Sequence, residues 1–321
     1  MSQRRSELPV RGCAGRIGVL VALAVLALAQ PVSAQDMEPR AYSPSPVGTN
    51  FLAVAVGNSR GAILFDPTVP ITDASANLDS FIAGYARAFG LWGHQGLVAL
   101  SLPYVRGDVA GTVFEESREV QRSGLADVRL KVSLNLVGGA AMTREEFAKA
   151  PRRTIVGTSL TLQAPTGQYD ETKLINLGTN RWSFKPEVGV SVPAGRWFLD
   201  AYGGAWLFTS NDDFYPGDAT RRQEPLFTLQ AHAGYTFKSR AWLAVDATWY
   251  GGGESTVDDG PPSSRQSNTR LGGTFALPLA RGQSIKFATS RGVSARTGSD
   301  FETYLLGWQL MWFDRPRGEN H

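Results

Sequence analysis

Residues 124–136 read Gly-Leu-Ala-Asp-Val-Arg-Leu-Lys-Val-Ser-Leu-Asn-Leu, and this stretch decides the fold class. Polar and aliphatic residues alternate from Asp127 onward, so a strand places one kind on each face. The aliphatic positions are Val128, Leu130, Val132, Leu134 and Leu136, a spacing that does not suit an amphipathic helix. Such a face meets either a protein core in a soluble sheet or lipid in a transmembrane barrel.

The N-terminal residues 1–34 have the pattern of a secretory signal. Four arginines precede an apolar run from Ile17 to Leu28, and Val32-Ser33-Ala34 supplies small residues for cleavage before Gln35. The run is shorter than the roughly 20 apolar residues that a spanning helix needs. We therefore expect an exported mature chain that has no helical membrane anchor.

Removal of the signal changes the charge and the cysteine count. The 32 basic residues become 28 and the 29 acidic residues become 28, so the mature chain is neutral. A neutral chain without a concentrated basic patch predicts no nucleic-acid partner. Cys13 is the single cysteine and leaves with the signal, which leaves neither a disulfide nor a thiol nucleophile.

Alternation recurs along the mature chain and predicts about twelve strands, each long enough to cross a bilayer at a steep tilt. Their ranges are 49–57, 77–89, 95–105, 125–137, 154–164, 181–192, 196–210, 225–237, 242–251, 268–278, 284–291 and 301–313. We divide the chain into a signal at 1–34, an irregular proline-containing segment at 35–48, a barrel at 49–313 and a tail at 314–321.

The connections between these strands alternate in length. Long polar or glycine-rich links are predicted at 58–76, 106–124, 165–180, 211–224, 252–267 and 292–300. Short links are predicted at 90–94, 193–195, 238–241 and 279–283, and the one exception, 138–153, can hold a helical turn. Short periplasmic turns and long external loops are typical of transmembrane barrels, whereas a soluble sandwich has no reason to keep this asymmetry. The sequence therefore predicts an all-β, antiparallel up-and-down barrel in the bacterial outer membrane.

The last predicted strand has an aromatic face that ends at Phe313. This face contains Tyr304, Leu306, Trp308, Leu310 and Trp312. An alternating final strand with an aromatic end resembles the recognition signal of bacterial outer-membrane barrels, although here a short tail follows it. We expect outer-membrane lipid and the barrel-insertion machinery as partners, and the sequence assigns no oligomeric state.

Several stretches together resemble the proteobacterial outer-membrane barrels named for the MetA pathway of phenol degradation. The stretches are Met37–Tyr42, Pro46–Phe51, Gly124–Asp127 with Arg129, Pro165–Asp170, Lys173–Trp182, Phe184–Glu187 and Ser290–Gly292. The resemblance implies a barrel, an outer-membrane location and transport of small aromatic or hydrophobic solutes. It does not assign a particular substrate.

Charged residues recur on the predicted inner face and are the candidates for lining the lumen. They are Asp127, Arg129, Lys131, Lys185, Glu187, His232, Asp246, Arg270 and Lys286. Rings of charge select permeating solutes by field and size. Opposite charges on this face can equally pair with one another and fix the barrel, and both interpretations remain open at this point.

The sequence gives little support for catalysis or metal binding. Of the histidines in the mature chain, His94 falls in a predicted turn, His321 is terminal and His232 lies on a polar strand face. No cluster of histidine or cysteine has metal-ligand spacing, so no catalysis, metal or cofactor is expected. The sequence favours an outer-membrane channel or transporter for small solutes. The alternatives are a structural or interaction barrel with a plugged lumen and a hydrolase at the barrel rim.

Overall fold

The computed structural model describes residues 37–64, 71–113, 116–263, 265–280, 282–296 and 298–314. The signal predicted at 1–34 and the tail beyond residue 314 lie outside the described residues. Residues 37–48 form turns and irregular chain ahead of the first strand. Within the described part, no helix is both long and apolar enough to cross a membrane.

Sixteen strands and one short helix are present in the described ranges. The first strands are β1 (Thr49–Leu64), β2 (Ile71–Leu91), β3 (His94–Val113), β4 (Glu116–Leu125), β5 (Arg129–Val137), β6 (Ile155–Gln163), β7 (Ser183–Ala194) and β8 (Trp197–Phe208). They are followed by β9 (Asn211–Phe214), β10 (Ala219–Gln223), β11 (Leu226–Thr236), β12 (Trp242–Gly252), β13 (Ser255–Val257), β14 (Gln266–Pro278), β15 (Gln283–Ser294) and β16 (Gly298–Phe313). Helix α1 (Arg144–Lys149) lies between β5 and β6.

Thirteen of these strands form one closed antiparallel sheet with twelve wall positions. Each wall strand pairs with its neighbours in chain order, and β16 returns to pair with β1 from Thr49↔Phe313 to Leu64↔Gly298. Strands β4 and β5 share one position, because β3 pairs with β4 along Tyr104–Val113 and with β5 along Gly96–Ser101. The predicted barrel of about twelve strands is confirmed.

The alternation of residues 128–136 separates the two faces as expected. Val132 and Leu136 are exposed on the outer surface, whereas Ser133 and Asn135 are buried on the lumen side. The same division holds around the wall, with exposed apolar side chains that include Leu52, Phe81, Leu100, Leu160, Val188, Leu229, Val245, Leu271, Phe287 and Leu306. A closed barrel with an apolar exterior satisfies its backbone in lipid without leaving a free edge.

The short turns gather at one end of the barrel. They are residues 92–93, 195–196 and 237–241, and residues 279–280 and 282 between β14 and β15 lie at the same end, as does the linker that carries α1. Thr143 caps α1 and forms a capping box with Glu146, which confirms the helical turn predicted in the 138–153 link. We call the opposite end the outer mouth; there β9, β10 and β13 form a separate three-stranded sheet from residues of two loops.

The prediction of long loops at 58–76 and 106–124 is wrong. Residues 58–64 and 71–76 continue β1 and β2, and residues 106–113 and 116–124 continue β3 and β4. The error has a physical cause: where strands extend beyond the bilayer both faces meet water, so the sequence loses the apolar alternation that marks a spanning segment. The backbone pairing nevertheless continues, for example from Asn58↔Asp79 to Ala62↔Ser75.

Candidate functional site

The N-terminal segment 37–48 runs inside the lumen. Tyr42 is fully buried there, and its hydroxyl lies 3.1 Å from Ser159 Oγ and donates to Glu187 Oε1 at 3.1 Å. The Tyr42 carbonyl accepts a hydrogen bond from Asn135 Nδ2 at 3.2 Å. The proline-containing segment that the sequence predicts as irregular is therefore bound to three wall strands, β5, β6 and β7.

Two glycines make room for the Tyr42 ring. A Cβ atom at Gly157 or at Gly189 would lie 2.3 Å from a carbon of that ring. On another side, the ring of Tyr202 packs edge-on against it with 5.2 Å between centroids. The wall is thus shaped to hold an aromatic side chain at this level of the lumen.

Residues beside Tyr42 extend this contact with the wall. The Glu38 carboxylate pairs with Lys131 at 3.3 Å, and the Arg40 backbone N–H donates to Asp200 Oδ2 at 2.8 Å. The Arg40 guanidinium lies over the rings of Phe198 and Trp242, at 5.1 and 5.7 Å from their centroids. Charged and aromatic wall residues therefore hold the segment across the lumen.

Most of the predicted inner-face cations have partners. Lys185 forms a buried ion pair with Glu187 at 2.8 Å, and Arg129 donates to Gln163 Oε1 at 3.1 Å. Lys286 is partly exposed on β15, paired in register with Gly307 of β16. Lys185 and Glu187 are thus the pair of opposite inner-face charges among these contacts, whereas Lys131 pairs with Glu38 of the N-terminal segment and Arg129 bonds to a neutral amide.

The predicted residues His232 and Asp246 form a buried network with Thr274. His232 Nδ1 lies 2.7 Å from Asp246 Oδ1, and the Thr274 hydroxyl donates to Asp246 Oδ2 at 2.7 Å. The other ring nitrogen, Nε2, has no hydrogen-bond partner among the described residues. His94 is separate from this network and lies 3.1 Å from the Asn135 carbonyl, and His321 is outside the described residues.

Asp127 lies in the break between β4 and β5 rather than within a strand. Its carboxylate accepts hydrogen bonds from the backbone of Gly167 at 2.9 Å and of Thr179 at 3.0 Å, and from Gln163 Nε2 at 3.0 Å. Gly167 and Thr179 belong to the link between β6 and β7. Asp127 therefore holds the link of residues 164–182 towards the lumen at the outer mouth.

Beneath this inward link is a cavity of about 40 Å³, which we call the outer cavity. Its apolar walls come from Trp206, Phe208, Leu226 and Tyr250, at the outer ends of β8, β11 and β12. Arg181 and Arg270 also line it, together with polar groups that include Gln163 and Asn268. The outer cavity therefore brings three aromatic rings and two arginines together.

Arg181 and its neighbour Arg221 are buried cations of the outer mouth. Burial lowers the pKa of Arg181 well below its usual value; Arg221 lowers it further, while Asp127 acts in the opposite direction. Burial also lowers the pKa of Arg221, to about 10. Neither arginine forms an ion pair with a described carboxylate, so both lie where a negative charge is favoured.

Several residues of the lumen were missed by the sequence analysis. Tyr42 lies in a segment without periodicity, so no local pattern assigns it to the lumen. Arg181 begins the predicted strand 181–192 at the same alternate spacing as Lys185 and Glu187, so this spacing could have found it. Asp200 and Trp206 alternate along β8 with the lipid-facing Leu199 and Leu207, and this alternation is a signal that could have found them. Among the described residues, no group of three or more His, Cys, Asp or Glu side chains is placed to hold a metal ion.

Comparison with known proteins identifies the family of the chain. The sequence profile described as "MetA-pathway of phenol degradation" matches residues 66–309. The chain belongs to this family. The resemblance found in the sequence is therefore confirmed, and membership together with the closed barrel places the protein in the bacterial outer membrane. No curated protein matches the chain in sequence.

Solved structures share the barrel. An outer membrane channel from Pseudomonas putida F1 has a TM-score of 0.72 and 21% identity, covering 86% of this chain and 100% of its own. The β domain of the Bordetella autotransporter BrkA has a TM-score of 0.51 and 13% identity, with 83% and 100% covered. The transport unit of the autotransporter AIDA-I from Escherichia coli has a TM-score of 0.51 and 9% identity, with 93% and 99% covered. At these identities the likeness shows the fold.

Proposed function

We propose that this family member is an outer-membrane channel that passes small solutes, in particular aromatic or hydrophobic compounds, through its narrow lumen. The outer cavity carries the proposal. Trp206, Phe208 and Tyr250 give this cavity aromatic walls, beside the arginine and amide side chains that also line it. Aromatic walls bind flat apolar solutes by burial and ring contact.

The N-terminal segment argues against a wide diffusion pore. Tyr42 and Arg40 occupy the lumen, and the paired charges of Lys185 and Glu187 neutralise each other beside them. A large hydrated solute has to displace these contacts. A small aromatic solute has few polar groups and therefore loses less free energy than a sugar when it sheds its water at the outer cavity, which favours aromatic over sugar-like solutes.

The proposed transport involves no covalent step. Passage through a lumen needs binding that is weak enough to be reversed, and the outer cavity supplies ring contacts and hydrogen-bond donors for this purpose. The family name and the description of the Pseudomonas putida protein as a channel support transport of this kind. His232 and Asp246 take a structural role in the proposal, through their bonds to each other and to Thr274.

A structural or interaction barrel with a closed lumen is the second candidate. The burial of Tyr42 and its bonds to Ser159 and Glu187 favour it, because they tie the N-terminal segment into the wall. Solute binding distinguishes the two candidates. A channel binds its solute within the lumen, whereas a closed structural barrel does not require solute binding.

Calorimetric titration with phenol tests the proposal. We expect saturable phenol binding to the refolded mature chain and roughly tenfold weaker binding to Trp206→Ala. Trp249→Ala, whose side chain is on the outer face of β12, is the matched control and should bind like the wild type. Equal affinities in all three proteins, or no saturable binding, would contradict an aromatic solute path and favour the closed structural barrel.

A further inference from the structure

We propose that the outer cavity is a binding site for the carboxylate of a small aromatic acid, held by Arg181 and Arg270. The inference deepens the proposed function and rests on it, because it names the chemical class of solute that the aromatic cavity selects. Both arginines line the cavity, and each is only 4% exposed.

Arg181 enters the cavity from the inward link between β6 and β7. One terminal nitrogen, Nη2, donates to Gln223 Oε1, whereas the other, Nη1, is buried and has no acceptor among the described residues. The guanidinium lies 4.3 Å from the centroid of the Phe208 ring. Stacking on Phe208 fixes the plane of the guanidinium and leaves Nη1 free to bind a ligand.

Arg270 enters from β14. Its Nη2 donates to the Phe301 carbonyl at 2.7 Å and lies 3.2 Å from Ser290 Oγ. Its Nε is buried and has no acceptor in the described part of the chain. The two arginines therefore approach one cavity from different sides, and each has an N–H that can still donate.

Two carboxylates near the cavity are already engaged, and a third, Asp300, attracts Arg270 from beyond ion-pair distance. Asp127 accepts from Gly167, Thr179 and Gln163, and Glu187 pairs with Lys185. Neither Arg181 nor Arg270 has a carboxylate within ion-pair distance among the described residues. A buried cation without an anion is unfavourable, so this cavity favours a ligand that brings a negative charge.

The volume of the outer cavity and the residues of its walls indicate which kind of anion binds there. A cavity of about 40 Å³ has room for about three water molecules, which is comparable to the three heavy atoms of a carboxylate group. This volume does not also hold an aromatic ring, so Trp206, Phe208 and Tyr250 contact the ring of the ligand once the side chains around the cavity move apart. Arginine binds carboxylate oxygens through directed N–H donors, which makes an aromatic monocarboxylate the ligand that satisfies both parts of the site.

Titration with three probes tests the two halves of the site separately. We expect the refolded mature chain to bind benzoate about tenfold more tightly than benzamide, which lacks the charge, and than acetate, which lacks the ring. Equal binding of benzamide would refute the carboxylate site while leaving the aromatic channel intact. Equal binding of acetate would refute the aromatic part of the site. Failure of both benzoate and benzamide to bind would contradict the site and the proposed function together.

Variants locate the site. Arg181→Gln and Arg270→Gln should each weaken benzoate binding about tenfold and leave benzamide binding unchanged. The matched control, Arg222→Gln, removes the same charge from an exposed position on β10 at the same end and should bind like the wild type. Unchanged benzoate affinity in both cavity variants would overturn the proposal. If either glutamine variant fails to fold, the three-probe comparison on the wild type still decides the outcome.

Discussion

Tyr42 donates its hydroxyl hydrogen to Glu187 at 3.1 Å, although 145 residues separate the two in sequence. The bond joins the irregular N-terminal segment to the middle of β7, within reach of the buried Lys185. The Tyr42 ring lies in the lumen in the space left by Gly157 and Gly189.

Tyr42→Ala should open the lumen. Loss of the ring removes the contacts to Ser159 and Glu187 and leaves an unfilled space over two glycines, so ion conductance should rise roughly twofold or more. Single-channel recording in planar bilayers measures the change. Tyr304→Ala, on the outer face of β16, is the control, and a Tyr42→Ala conductance equal to that of the control would show that the segment does not restrict the path.

Asp127→Ala should release the inward link between β6 and β7. Gly167, Thr179 and Gln163 then lose a charged acceptor, at a cost of about 3 kcal/mol in local stability. Trypsin should therefore cut after Lys173 much faster in this variant. Asp212→Ala, an exposed loop position, should be cut at the wild-type rate, and equal cutting of the two variants would contradict the role of Asp127.

Asp246→Ala should destabilise the barrel wall. His232 Nδ1 and the Thr274 hydroxyl lose their buried partner, and two unsatisfied groups of this kind cost about 3 kcal/mol. The midpoint of urea unfolding in lipid vesicles measures the loss. Val245→Ala, the lipid-facing neighbour, is the comparison, and the account fails here if Asp246→Ala unfolds no more easily than Val245→Ala.

The Asp170 carboxyl should titrate near pH 2. Hydrogen bonds from Lys173 and Thr172 lower its pKa from 3.8 to about 2. Because the folded pKa is the lower one, its contribution to the link is complete above about pH 4 and is lost as the pH falls through about 2. Carbon NMR of the side-chain carboxyl measures the pKa directly. In Lys173→Gln the pKa should rise towards 3.8, and an unchanged value would remove Lys173 as the cause.

The spanning strands were largely predictable because lipid and lumen impose opposite demands on successive residues. The alternation from Val128 to Leu136 shows this demand in sequence, and in β5 Val132 and Leu136 are exposed, whereas Ser133 and Asn135 are buried. The extension of β1 to β4 beyond the bilayer was not predictable, since neither face there is apolar. The sequence pattern predicts the strands correctly where one face meets lipid. It fails where water covers both faces.

The site was less predictable than the wall. Lys185, Glu187 and Arg270 alternate with apolar neighbours, so their strand faces were visible in the sequence. Tyr42 was not visible in this way, because its ring needs the room that the distant Gly157 and Gly189 leave. The bonds from Gly167 and Thr179 to Asp127 also join segments far apart in sequence. Contacts across the lumen join residues far apart in sequence, which local patterns do not encode.

Val188→Arg should impair insertion into lipid. Val188 is 57% exposed on the outer face in the middle of β7, where a charge costs about 2–4 kcal/mol. Trp92→Arg, at a short turn between β2 and β3, should cost only about 0–1 kcal/mol near the interface. Folding yield in vesicles compares them. Equal yields would contradict the assignment of Val188 to the lipid-facing surface. Insertion by the cellular machinery remains a prediction from the sequence of β16.

The central claim is that small aromatic solutes enter the lumen of this barrel. Single-channel current through the refolded mature chain, recorded while phenol is added to one side, tests it most directly. We predict brief interruptions of the current whose frequency rises with phenol concentration and falls in Trp206→Ala. A steady current that phenol does not interrupt, or confirmed insertion with no current at all, would contradict the claim.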